Sequence, residues 1–505
     1  MRADLDRTGY RKKGQLWHSG LMNTRMVGPA SLIRHLGAWR GQGAGPAYRQ
    51  LADAVRLLIL DGRLPLAARL PGERDLAQAL GVSRTTVSSA YGRLRDEGFL
   101  TGGQGAAART RLPAGSGPSR PQADNGDARP DVIDLTSAVL PADPNVHAAY
   151  VRALERLPAR LPGHGYEREG LEELRETVAA AYRRRGLPTS AGQILITHGA
   201  HNGLVHLLRL IVRPGDPVVF DHPTYPQAID AIMSAGARPV PVALPDSDGE
   251  DGWDVDGLAA ACRRGGAPMA YLVLDHNNPT GRMMRGSDRA RLLSALKGSE
   301  TLLVLDETLV DLTLSGPPAL TASAVDAPRV VRLGSMSKSV WGGLRIGWIR
   351  ADRAVIQRLA QSRASFDLGV PVLEQLAAVE LLNDGGAALA ARRPLLRAGR
   401  DHLRARMAEA LPDWVCPRPA GGLSLWARLP APISSALTAR AAAEGLRLAA
   451  GPRFGVDGAF ERRLRLPYTL SEDQLDQAVE RLARAAARIG RKAGLEKSPR
   501  PSIVY

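Results

Sequence analysis

The apolar positions of the chain change period twice. Between residues 46 and 98 they recur at helical spacing. Leu51, Val55, Leu58 and Leu60 form one stripe that ends near Asp61-Gly62. Residues 70–80 give a short second helix with Gly81 as its stop, and residues 82–97 give a third that closes at Gly98. Ahead of these, residues 32–39 predict a short helix and residues 41–45 a break. From Ile133 the pattern is different. Short apolar runs at 193–198, 218–220, 271–274, 302–305 and 330–333 read as strands, and helical stretches such as 171–184 and 200–210 lie between them. This alternation predicts an α/β domain with a mostly parallel sheet sandwiched by helices. Beyond Val355 the pattern turns helical, at 373–382 and 395–411, with strands at 423–426 and 464–466. Ser471-Glu472-Asp473-Gln474 is a capping box. The helix it opens buries Leu475, Val479, Leu482 and Ile489.

These shifts divide the 505 residues, too many for one ordinary core, into five segments. Residues 1–45 are a partly disordered extension. Residues 46–111 are a small helical domain. Residues 112–132, rich in Pro, Gly, Ser and Asp with no apolar period, are a flexible linker. Residues 133–490 are the α/β domain, and residues 491–505 a disordered basic tail. No apolar run approaches the length of a membrane span, and the basic N-terminus lacks a signal core, so a cytoplasmic location is expected. Cys262 and Cys416 form no CxxC and read as small hydrophobes; no metal site is expected. Residues 1–111 hold 18 Lys/Arg and 8 Asp/Glu, a net of +10, out of +16 for the whole chain. That concentration points to a polyanion partner, although arginine is abundant throughout and charge alone does not name it.

Helix, three-residue turn, helix is the spacing of a helix-turn-helix. Ser83 is placed to cap the third helix, whose first turn presents Arg84, Thr85 and Thr86, donors suited to phosphates and base edges. Phe99-Leu100-Thr101, Gly102-Gly103-Gln104-Gly105 and Arg109 read as a β-wing. On Leu70-Pro71-Gly72-Glu73-Arg74-Asp75-Leu76 and Val82-Ser83-Arg84-Thr85-Thr86-Val87, residues 46–111 resemble the winged helix-turn-helix of GntR-type regulators. The resemblance implies double-stranded DNA as partner, contacted by Arg74, Arg84, Gly103 and Gly105. Ala106-Ala107-Ala108 departs from the small polar residue usual after the second wing glycine.

In the α/β domain, the polar clusters all follow strand ends, where open α/β sheets place ligands. Ser335-Met336-Ser337-Lys338-Ser339-Val340-Trp341-Gly342-Gly343-Leu344-Arg345 holds one lysine among hydroxyls, with an arginine beyond two glycines. A lysine just past a buried strand is a candidate Schiff-base amine, and the hydroxyls and arginine suit a phosphate. Together they suggest pyridoxal 5′-phosphate. Gly199-Ala200 at a helix start offers N–H groups to a phosphate. Tyr225 is placed to stack on a flat ring or simply to pack. Asn278 suits a phenolic oxygen or a plain turn. Asp306 suits a pyridine nitrogen or a helix cap.

Taken in order, these clusters resemble the fold-type I aminotransferases over residues 133–490. The resemblance implies that Lys338 forms the internal aldimine, Asp306 pairs with the ring nitrogen, Asn278 with the ring oxygen, and Tyr225 stacks on the ring. It assigns the phosphate to Ala200, His201, Ser335, Ser337 and Arg345, and a carboxylate of the effector to Arg465, which a structural salt bridge would also explain. One departure is plain. The family's tyrosine two or three residues after the aspartate is here Thr308 or Leu309. A GntR-type domain fused to an aminotransferase-like domain is the architecture of the MocR subfamily of bacterial transcriptional regulators. Membership implies a PLP-dependent DNA-binding regulator, typically a head-to-tail homodimer, that senses PLP or an amino-acid-like effector. Turnover is not expected as its main role; the alternative is an aminotransferase carrying a DNA-binding domain.

Overall fold

A computed structural model of the chain describes residues 26–37, 39–40, 46–60, 63–102, 107–111, 132–245, 252–316, 329–384 and 386–493. It divides into two compact units, Met1–Gln122 and Ala123–Tyr505. Residues 1–25, the linker stretch 112–131 and the end of the tail from 494 lie outside the described residues.

The first unit holds α1 (Pro29–Leu36), α2 (Ala47–Leu60), α3 (Glu73–Leu80) and α4 (Arg84–Asp96), then β1 (Leu100–Thr101) and β2 (Arg109–Thr110). Helix α1 begins earlier than expected, with Pro29 in its first turn, and ends at Gly37. Leu32, Leu36 and Trp39 are buried against α2, α3 and α4. The extension before residue 46 therefore supplies part of this core. Met26 also bridges Arg69, and Val27 N donates to Arg69 O at 2.9 Å. Gly81 takes the left-handed conformation, φ +63°, that a helix stop requires, and its N–H bonds Ala77 O and Gln78 O. Ser83 Oγ then accepts from Thr86 N at 3.1 Å and starts α4. Tyr91 ties α4 back to the entry of α3 by donating to Pro71 O at 3.1 Å. In the wing, β1 and β2 pair antiparallel, Leu100 opposite Thr110.

The second unit opens with β3 (Ile133–Asp134), α5 (Val146–Arg156) and α6 (Glu172–Arg184). Then come β4 (Ile194–Thr197), α7 (Ala200–Ile211), β5 (Pro217–His222), α8 (Pro226–Ser234), β6 (Arg238–Ala243), α9 (Val255–Arg264), β7 (Met269–Leu272), α10 (Gly286–Ala295) and β8 (Leu302–Asp306). The large sheet is completed by β9 (Val330–Ser335) and β10 (Gly347–Arg350), in the order β4-β10-β9-β8-β7-β5-β6. Only β10 runs against its neighbours. Val218, Phe220, Tyr271 and Val304 face one side of the sheet, while Val219, Leu272, Leu303 and Leu305 face the other. With both faces covered, the strands read as continuous apolar runs rather than alternations. Two strands escaped that reading. Strand β6 is an edge strand carrying Pro239 and Pro241, which an edge tolerates. Strand β10 carries Trp348 and Arg350, too polar a set to stand out.

The chain continues with α11 (Arg353–Ser362), α12 (Val372–Asn383) and α13 (Ala387–Ala410). Helix α13 starts eight residues before the expected 395 and holds Pro394 inside it. Next are β11 (Ser424–Arg428), α14 (Ser434–Ala443), β12 (Leu446–Arg447), β13 (Ala449–Ala450), β14 (Arg463–Pro467) and α15 (Glu472–Ala493). A second sheet, β11-β14-β13, packs with α13, α14 and α15 around its own core. Helix α15 runs to Ala493, past the expected end of order at 490. Among the described residues no helix is long and apolar enough to cross a membrane, and no cluster of His, Cys, Asp and Glu could hold a metal.

Candidate functional site

A cavity of about 420 Å3 in the second unit opens at the C-terminal ends of the large sheet's strands. The ten sequence candidates there all line it: Ala200, His201, Tyr225, Asn278 and Asp306 from the first half, and Ser335, Ser337, Lys338, Arg345 and Arg465 from the second. The fold brings them together because each follows a strand of one sheet, except Arg465, which comes from β14 of the second sheet. Thr308 and Leu309 also line the cavity, so the departure from the family pattern lies on its wall.

Lys338 Nζ donates to Ala138 O at 2.9 Å. Burial, then the nearby Arg465 charge, bring its pKa down to about 8 against the pull of Asp306. A lysine so tuned is a nucleophile near neutral pH. Asp306 is buried at the end of β8; its Oδ1 accepts from Thr308 N at 2.9 Å and its Oδ2 from the Tyr271 hydroxyl at 2.5 Å. Tyr271 is fully buried on β7, and burial, with Asp306 beside it, holds its phenol well above the ordinary value. Burial likewise pushes Tyr225, at the start of α8, up to about 12.

The turn before α7 is shaped for an anion. Gly199 has φ +87°, and a Cβ there would stand 3.0 Å from Arg345 Nη2. Arg345 donates through that nitrogen to His198 O at 2.6 Å. Ser337 N and Ser335 Oγ are 3.1 Å apart, and the two serine hydroxyls 2.9 Å. Behind the Asn278 turn, buried Asp221 accepts from Val273 N at 3.1 Å, Asn277 Nδ2 at 2.8 Å and Thr224 Oγ1 at 3.1 Å, while burial pushes its carboxyl up to about 7.

Arg465 is 7% exposed. Its guanidinium donates to Thr136 O and, at 3.4 Å, to Asn278 Oδ1, and lies 4.8 Å from the Phe454 ring centroid. These partners are neutral, and Nε has none. Burial and then the Arg453 charge bring its pKa down to about 10, so it stays a cation at neutral pH. A buried cation with an orphaned N–H fits an anionic ligand. The whole set therefore fits a flat ring carrying a phosphate, with room for a carboxylate beside Arg465.

Sequence reasoning missed Tyr271, Arg453 and the segment Thr136–Ala138. Tyr271 sat inside an apolar strand, Arg453 in a turn with no motif, and Thr136 and Ala138 reach the cavity only through the chain's path. No local pattern would have found them.

In the first unit, Arg74, Ser83, Arg84 and Thr85 are exposed and Thr86 is half-buried. Arg84 Nε, exposed, lies 3.9 Å from half-buried Glu73, a long surface pair of little strength. Gly103 and Gly105 lie outside the described residues.

The family profile described as Aminotransferase class I and II matches residues 130–482, and Bacterial regulatory proteins, gntR family, matches residues 47–109. The uncharacterized HTH-type transcriptional regulator YisV of Bacillus subtilis (strain 168) is 27% identical over 410 residues, 75% of this chain and 84% of that one. The "Probable rhizopine catabolism regulatory protein MocR" of Rhizobium meliloti is 28% identical over 328 residues, 60% of this chain and 65% of that one. Among solved structures, LysN of Thermus thermophilus, an alpha-aminoadipate aminotransferase complexed with N-(5'-phosphopyridoxyl)-L-leucine, superposes with a TM-score of 0.64 at 27% identity, covering 71% of this chain and 93% of that one. The chain thus belongs to the class I and II aminotransferase family and, with a gntR-family DNA-binding domain ahead of that fold, to the MocR subfamily of transcriptional regulators.

Proposed function

We propose that this DNA-binding regulator reads an amino-acid-like effector, or PLP itself, at the cavity in residues 133–490. The cofactor is pyridoxal 5′-phosphate. The observation that carries the reading is one cavity holding Lys338, Asp306, Arg345 and Arg465 in a chain that also carries a helix-turn-helix. Bound there, pyridoxal 5′-phosphate supplies an electrophilic aldehyde carbon and an electron-withdrawing ring. Lys338 presents its amine to that carbon. Asp306 accepts a hydrogen bond from the ring nitrogen, and Asn278 donates one to the ring oxygen. Tyr225 flanks the ring. The Ala200 N–H, His201, Ser335, Ser337 and Arg345 hold the phosphate, and Arg465 holds a carboxylate of the effector.

DNA is held by Arg74, Arg84 and the first turn of α4, with Ser83, Thr85 and Thr86 donating to phosphates or base edges and Gly103 and Gly105 approaching the backbone. Head-to-tail homodimers, with a domain order of 46–111, linker 112–132 and 133–490, pair two such helices on one operator in the cytoplasm. An effector shifts DNA affinity only by its differential affinity for the two states of the regulator. The test is Lys338→Ala in the full-length protein, with DNA affinity measured with and without PLP and amine ligands. Ligand-dependent regulation is lost and basal binding stays measurable; regulation unchanged in the variant sinks the reading.

A second reading, an aminotransferase with a DNA-binding appendage, draws on the retention of both Lys338 and Asp306. Stoichiometric keto-acid product from an amino donor would support it. Leu309 and Thr308 in place of the usual tyrosine weigh against efficient turnover.

A further inference from the structure

The segment between β3 and α5 runs along the cavity, and its ends are anchored differently from its middle. At the near end, Ile133 N donates to Gly445 O at 2.9 Å and Leu135 N to Arg447 O at 2.8 Å, and both side chains are buried. Asp134 Oδ1 accepts from Thr136 N at 2.7 Å, and its Oδ2 lies 3.2 Å from Arg447 Nη1. At the far end, Arg392 of α13 donates to Pro141 O at 3.0 Å, and buried Asp143 accepts from Asn145 N at 2.8 Å just before α5. Between these anchors, residues 136–140 form no helix or strand, and Val139 is exposed although it lines the cavity.

The middle is tied down by the site itself. Lys338 Nζ donates to Ala138 O at 2.9 Å, and Arg465 donates through Nη2 to Thr136 O. Among the described residues, these two hydrogen bonds join residues 136–140 to the rest of the cavity wall. Both donors are cations with a ligand to hold. Capture of pyridoxal 5′-phosphate condenses the Lys338 amine with the aldehyde. A C=N bond forms and the C=O bond breaks; two amine hydrogens leave with the oxygen as water, and the third returns to solvent as a proton. Nζ, now doubly bonded to carbon, has lost the amine hydrogens that reach Ala138 O. A carboxylate on Arg465 is a charged acceptor and competes with the neutral Thr136 O for the same guanidinium. Each ligand favours release by the tie it displaces, the differential interaction that a population shift requires.

We infer that residues 136–140 are an occupancy strap: ligands on Lys338 and Arg465 release the middle of the segment while its ends stay anchored. This deepens the regulator reading above and rests on it. Through β3 the strap continues into residues 112–132, the stretch that leads back along the chain to the helix-turn-helix. It therefore lies on the covalent path between the DNA-binding unit and Lys338.

The test uses full-length protein with a nitroxide spin label on Val139→Cys in a Cys416→Ser background, Cys262 being buried. The readout is the mobile fraction of the label's spectrum with and without PLP. A label on Ala142→Cys, beside the far anchor, is the control. PLP is expected to raise the mobile fraction at the Val139 position about fivefold, the shift that loss of one hydrogen bond gives, and to leave the control unchanged. In Lys338→Ala the strap is already mobile without PLP, and PLP adds nothing. Arg465→Met, which frees Thr136 O, raises the mobile fraction without PLP as well. Leu140→Cys takes the label should the one at Val139 block the borohydride-fixable band. A mobile fraction that PLP leaves unchanged or lowers in protein that forms the band overturns the inference alone. So does either variant as restrained as the wild type. DNA affinity that ignores PLP while the label responds overturns the regulator reading and leaves the strap standing.

Discussion

At the scale of single residues, the site turns on two groups whose chemistry is set by their neighbours. Lys338 has a pKa of about 8 where lysine ordinarily has 10.5. Below that value the amine is protonated and inert; above it the amine is free. The rate of PLP capture by the cofactor-free protein therefore rises as pH climbs through about 8 and levels off above it, measured as the growth of a borohydride-fixable absorbance band. A lysine at its ordinary value would still be gaining at a pH of about 10. Because the Arg465 charge helps to depress Lys338, Arg465→Ala moves that midpoint upward in the same assay. Tyr271 acts on Asp306 in a comparable way. Its hydroxyl donates to Oδ2, so Tyr271→Phe leaves a buried carboxylate one partner short. A cost of about 1–3 kcal/mol in the denaturant-unfolding free energy of the cofactor-free protein is expected. An unchanged midpoint would mean that the bond carries no weight. Lys338, Asp306 and Arg345 were legible in the sequence because distinctive residue types stood together just past apolar runs. Tyr271 was not, because it acts across an element boundary on Asp306, 35 residues further along the chain.

At the scale of elements, caps and close approaches decide stability. Ser83→Ala removes the side-chain acceptor for Thr86 N and costs about 1 kcal/mol, with weaker DNA binding from a frayed first turn of α4. A thermal melt and a DNA titration of the variant check both. On the large sheet, Gly334 of β9 lies against Trp348 of β10, and a Cβ there would overlap the indole. Gly334→Ala is therefore expected to destabilise by about 3 kcal/mol, read as a lower urea midpoint for the cofactor-free protein. The helices of the first unit were legible from their stripes, and Gly81 and Ser83 marked the turn between α3 and α4. Strands β6 and β10 were not. Pro239 and Pro241 mask one, and Trp348 and Arg350 the other, because their acceptance as strands depends on which neighbours they pair with. Helix α13 runs through Pro394, a residue that locally disfavours a helix interior.

At the scale of the whole molecule, two units carry two kinds of site, a helix-turn-helix for DNA and a cavity for pyridoxal 5′-phosphate. The net +10 of residues 1–111 predicts that DNA affinity falls steeply with salt, each neutralised phosphate contributing a slope of about 0.9 in log K against log salt. Arg84→Ala should weaken binding to all sequences and lower that slope by about one. A slope equal to the wild type's would place Arg84 off the phosphates. The sequence by itself determined the two-part organisation, since the helical stripes of residues 46–98 and the strand–helix alternation from Ile133 are separated by a Pro/Gly/Ser/Asp-rich stretch with no apolar period to pack. It also determined the chemistry available to each part, because the residue types at the turns are fixed locally. The tertiary structure alone decided that α1 and Trp39 complete the first core, and that Thr136–Ala138 closes over Lys338. It alone brought Arg465 against Thr136 O and Asn278 Oδ1. Such arrangements depend on chain paths folding back over long separations, and contacts of that range leave no periodic trace in the sequence.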